Sequence, residues 1–114
     1  MTLKNLFKAT FLLCFLFSST VMMAQQKSAD ERAKNQTAWM QKNLGLSQEL
    51  NQKAYAINLT HAQDVDKIKA KGGDDAQKEL IKANVKRNTG LKAIFTPDQF
   101  HKYQMHEKEI NQKK

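Results

Sequence analysis

Leu50, Ala54, Ile57, His61, Val65 and Ile68 follow one another at steps of 4, 3, 4, 4 and 3 residues. That spacing gathers all six on one side of an α-helix, whereas a strand would scatter them over both faces. From Ser28 onward the chain has one proline and no two-residue alternation of apolar and polar residues. An all-α fold follows from the pattern.

The breaks between periodic segments predict four helices. The first runs from Ala29 to Leu44, with Ala33, Gln36, Met40 and Leu44 on one side, Trp39 beside them, and Gly45 as its C-terminal cap. A second opens at Ser47 and carries the stripe above. Gly72 and Gly73 interrupt the chain, and Asp74 or Asp75 caps a third helix that presents Ile81, Val85, Asn88, Leu91 and Phe95. Pro97 starts a fourth, with Phe100, Tyr103 and Ile110 on one face and Glu107 interrupting them. The two central helices, at about 20 residues or more, should each reach about 30 Å.

Residues 1–24 have the three parts of an export signal. Lys4 and Lys8 are basic, Ala9 to Phe17 is an apolar run too short to span a membrane, and Ala24 ends a plausible cleavage site. An uncleaved anchor is the alternative reading of the same segment. Cys14, the one cysteine, lies inside it, so the exported product would have no thiol. Residues 25–114 then form a single domain of 90 residues, with 17 bases against 11 acids and a net charge of +6. Only 15 of those 90 are Leu, Ile, Val or Phe, under the roughly 20% common in folded domains. So thin a core, with no disulfide, makes dimerisation the natural remedy.

Phe95-Thr96-Pro97-Asp98-Gln99-Phe100 has the density of polar chemistry expected of a working site, yet each residue has a place in a helix start. Thr96 is the N-cap, Pro97 suits N1, Asp98 favours the positive dipole end, and Gln99 at N3 completes a capping box. Phe95 and Phe100 flank it as a hydrophobic staple. Leu46-Ser47-Gln48-Glu49-Leu50 is a partial copy without the glutamine, 49 residues earlier from cap to cap. A literal Leu-Thr-His-Ala-Gln at Leu59 to Gln63 falls inside the second helix, where no helix can begin.

An exported all-helical chain with two Leu-Thr-x-x-Gln-like helix starts resembles the Spy/CpxP, or LTXXQ-motif, family of periplasmic proteins, in a Bacteroidetes-like version, over Ala29 to Glu109. The resemblance implies a cradle-like hairpin of long helices paired as an antiparallel homodimer. It also implies a periplasmic, ATP-independent, chaperone-like role: holding unfolded or partly folded envelope proteins on a basic, partly apolar face. Some members of that family instead bind the periplasmic domain of a stress-sensing kinase, and some bind zinc.

Charge singles out one face. Acids mostly sit at helix starts and lysines at helix ends, as helix dipoles favour. Lys78, Lys82 and Lys86, joined by Arg87, depart from that rule, because like charges at i, i+4 repel. Beside the apolar Ile81 and Val85 they are candidate client-binding residues; a solvated, solubilising face is the plainer alternative. Nucleic acid would suit the charge, but export and the lack of any recognition motif argue against it. His61 reads as a core or interface histidine, and His101 and His106, five apart, point about 140° away from each other. With Met105 they offer a thin ligand set for metal buffering, and no metal or other cofactor is expected. No nucleophile and base pair or phosphate loop appears, so no enzyme is expected.

Overall fold

The computed structural model describes residues 27–113, and these are 86% helical with no strand among them. The expected leader, its cleavage site and Cys14 lie outside the described residues. Four helices follow in order: α1 (Ala29–Leu44), α2 (Gln48–Lys71), α3 (Ala76–Ile94) and α4 (Pro97–Gln112). At 1.5 Å per residue α2 is about 36 Å long and α3 about 28 Å. None of them is long and apolar enough to cross a membrane.

Local chemistry sets three of the four helix starts. The hydroxyls of Ser28, Ser47 and Thr96 accept from the backbone N–H three residues on, at Glu31, Leu50 and Gln99. At Thr96 the box is complete, because the Gln99 Oε1 accepts from the Thr96 N–H at 2.9 Å. The α3 start is different. Asp75 stands at the N-cap position in a right-handed helical conformation and makes no side-chain cap bond. Gly45 ends α1 in the left-handed region at φ 65°, as a glycine C-cap requires, and Gly72 and Gly73 turn the chain between α2 and α3 with φ of 65° and 95°.

Packing gathers the core at the end of the molecule where the two tight connections lie. Met40, Leu44, Leu46, Ala54, Leu91, Phe95 and Tyr103 are buried there, with Trp39, Leu50, Ile57, Ile94 and Phe100 packed around them. One side chain ties both connections together. Besides closing its own capping box, Gln99 donates from Nε2 to the carbonyl of Leu44, the last residue of α1, at 3.1 Å. The same amide therefore fixes the start of α4 and satisfies one of the orphan carbonyls at the end of α1.

Two faces differ from the sequence expectation. In α2 the buried line is Ala54, Asn58 and Ala62, while Leu50, Ile57, His61, Val65 and Ile68 are half-buried. Small side chains permit the closest helix approach, and the larger apolar ones lie beside that line. Asn58 is accommodated because its Nδ2 donates to Thr37 Oγ1 at 2.9 Å, and Thr37 in turn donates to the Ala33 carbonyl at 2.7 Å. In α3 the expected stripe divides: Leu91 and Phe95 are buried, Asn88 half-buried, and Ile81 and Val85 open to solvent. Gly90 marks a close approach, since a Cβ there would meet the Ile57 side chain at 3.3 Å.

Candidate functional site

Ala83 and Leu91 are the fully covered positions of α3, so the helix turns Lys78, Ile81, Lys82 and Val85 toward solvent. Ile81 is 53% exposed and Val85 58%, one helical turn apart. An unpartnered Ile and Val in a domain short of apolar residues are notable, because each withholds area that a thin core needs. The three lysines around them are exposed. Lys86 reaches Asp64 on α2 at 3.5 Å, while Lys78 and Lys82 form no ion pair among the described residues.

Arg87 does not belong with those lysines. Its side chain is only 10% exposed, its guanidinium carbon stands 5.8 Å from the centre of the Tyr103 ring, and one nitrogen lies 3.8 Å from Glu107. The Nε donates to Asn88 Oδ1 at 3.3 Å, an oxygen that also accepts from the Tyr103 hydroxyl at 2.9 Å. Glu107, expected as an interruption of the α4 stripe, instead receives Arg87 and accepts from Gln36 Nε2 at 3.2 Å. Arg87 is thus an internal tie among α1, α3 and α4, and burial pushes the Tyr103 phenol well above its ordinary pKa. The sequence placed Arg87 on the basic face because it follows Lys86; its aromatic and acidic partners come from a later helix.

Beside the lysines, two recesses of about 360 and 470 Å³ share Asp64, Ala83 and Lys86 and so form one groove along the seam of α2 and α3. Lys67 and Lys71 of α2 contribute to its rim. In the sequence Lys71 has the look of a charge complementing a helix end, and the groove becomes visible only when α3 is laid alongside.

The histidines stand apart. His61, half-buried in the seam, is 2.8 Å from Asn84 Oδ1 through Nε2; burial lowers its pKa, the Asn84 bond opposing that shift. His106 stacks on Trp39 at 3.6 Å between ring centres and 16° between planes, whereas His101 is exposed. Among the described residues no three His, Cys, Asp or Glu come together as a metal site. The motif residues Leu46, Ser47 and Phe95 to Phe100 serve the helix starts and the core around them. At the α1 terminus, Tyr55 donates to Asp30, which also pairs with Lys34 at 3.0 Å; these contacts hold the Asp30 carboxyl below its ordinary pKa.

Residues 21–103 match the model of a family described as a domain of unknown function, DUF4890, and the chain belongs to that family. No curated protein and no solved structure matches the chain.

Proposed function

We propose that this member of the DUF4890 family is an exported, ATP-independent holding protein of the Spy/CpxP type. It would keep unfolded or aggregation-prone envelope proteins from associating. The observation that carries the reading is the outer face of α3, where Ile81 and Val85 stay open to solvent between Lys78, Lys82 and Lys86. Charge accelerates encounter with acidic or unfolded chains, and an exposed branched aliphatic pair gives a contact that tolerates many sequences. No chemical step is required. Arg87 is left out of the binding set, since its guanidinium is engaged by Tyr103 and Glu107. A homodimer, which would add core to a thin domain, belongs to the same proposal.

Aggregation assays test this reading. The exported protein should suppress light scattering by several unrelated denatured proteins at near-equimolar ratio, and sedimentation should give twice the protomer mass. Failure on every client, together with tight binding to one sensor-kinase periplasmic domain, would replace the holding role with that of a regulatory ligand. Lys78, Lys82 and Lys86 changed together to Gln should weaken capture and its salt dependence while leaving helix content intact. Unchanged capture would make the lysines a solubility feature.

A further inference from the structure

The groove along the α2–α3 seam differs from end to end. Toward the Gly72–Gly73 turn its walls carry Lys67, Lys71, Lys82 and Lys86 against Asp64 and Glu79. Both acids are already engaged, Asp64 by Lys86 and Glu79 by Lys71, each at 3.5 Å. Lys67 and Lys82 are left facing the groove with no ion pair among the described residues. Toward the other end the lining is Ala56, Ile57, Thr60, Thr89 and Gly90 together with His61 and Arg87, whose polar groups are engaged by Asn84 and by Asn88 and Glu107. Ala83 has no side chain long enough to fill the trough, and at Gly90 the Ile57 side chain packs directly against the α3 backbone.

We infer that this groove binds a single-chain fatty acid, with its carboxylate between Lys67 and Lys82 and its tail along Ile68, Ala83 and Ile57. A compact anion would satisfy the lysines and leave the apolar half empty. An extended peptide would bring backbone N–H and C=O groups into that half, where, with Arg87 and the His61 Nε2 already engaged, the side chains offer little beyond the Thr60 and Thr89 hydroxyls to partner them. A methylene chain asks for no partner there, and lysine ammonium groups accept a carboxylate without the fixed fork that arginine would impose. This site is distinct from the apolar part of the holding face: Ile81 and Val85 do not line the groove, although Lys82 and Lys86 border both.

Calorimetric titration of the exported protein with octanoate, decanoate, dodecanoate and tetradecanoate, each below its micelle concentration, tests the inference. An open groove covers about half of each methylene, so affinity should rise about twofold per added CH₂. The rise should level off once the tail outruns the floor from Ile68 to Ile57, 11 residues or about 16 Å. Lys67→Gln with Lys82→Gln should weaken tetradecanoate about tenfold, the worth of two exposed charge contacts. Thr60→Phe, a change at an exposed rim position, should block the tail and leave capture of denatured clients unaltered. Affinity independent of chain length, or a Thr60→Phe variant that retains its helix content and still binds, would overturn the fatty-acid site. Binding to phosphatidylglycerol vesicles with none to monomeric tetradecanoate would overturn it too, and would point to a membrane surface instead.

Discussion

Gln99→Glu separates the two tasks of one side chain. In the folded protein the amide oxygen accepts from Thr96 N–H at 2.9 Å, and the amide nitrogen donates to the Leu44 carbonyl at 3.1 Å. Glutamate keeps the acceptor and is favoured by the positive end of α4, by about 0.3–1 kcal/mol. It has no donor for Leu44, however, and would aim a carboxylate oxygen at a carbonyl oxygen. Losing the bond costs about 0.5–1.5 kcal/mol, and the orphaned, partly buried acceptor adds about 1 kcal/mol or more. The expected balance at pH 7 is a net loss of about 1–2 kcal/mol, or about 5–12 °C in midpoint temperature for a domain of this size. Urea unfolding followed by far-ultraviolet circular dichroism would measure it.

Acid supplies a second readout of the same variant. A protonated carboxyl regains a donor, so the folded state favours the neutral form and raises the pKa of the introduced glutamate above its unfolded value. The difference from the parent should therefore shrink as pH falls through the carboxylate range. Thr96→Ala, which removes only the N-cap acceptor, should cost about 1 kcal/mol with no such recovery. If Gln99→Glu equals the parent in stability at pH 7, the link to Leu44 contributes nothing and the glutamine is only part of a helix cap.

Arg87→Gln should destabilise the fold by about 1–2 kcal/mol in urea unfolding, through loss of the Tyr103 and Glu107 contacts, whereas Lys82→Gln should change it by under about 0.5 kcal/mol. Stability should fall as pH drops from 7 through the ordinary imidazole range, because the depressed His61 pKa lets the unfolded chain take its proton first. That loss should cease once the folded His61 also titrates, and His61→Gln should flatten this part of a pH series of denaturation midpoints. Asn58→Leu should be neutral or stabilising by up to about 1 kcal/mol, since Thr37 keeps its own bond to Ala33 and the unpartnered Asn58 Oδ1 disappears. A large loss in thermal midpoint would show that the Asn58 to Thr37 bond holds α1 against α2.

Much of this architecture is legible in the sequence because helix caps are local. Ser47, Gly45 and the Thr96–Gln99 capping box each act within a few residues of their own position, whereas the second bond of Gln99, to Leu44, is long-range, and the first helix spans Ala29 to Leu44 as its spacing predicts. What periodicity misses is depth. It ranks Leu50 and Ile68 above Ala54 and Ala62 by apolarity, while contact between helices is closest at the small residues. It also reads Arg87 by its neighbour Lys86, when Tyr103 and Glu107 of α4 turn it inward. Asp75 had the chemistry of a cap without the backbone conformation to use it. The groove was hidden for the same reason as Arg87: its two walls are separate stretches of chain.

The placement of the core at one end sets a gradient of persistence along the molecule. Backbone amides of Leu91 and Tyr103, beside the two connections, should exchange with solvent only through opening of the whole domain. Those near Lys71 and Ala76, where the turn has a glycine pair and an uncapped helix start, should exchange through fraying alone. The hairpin tip can thus bend or melt by a turn without unseating the other end. A protein that meets partners of many shapes would gain from that difference, because the compliant segment adapts while the capped end keeps the memory of the fold.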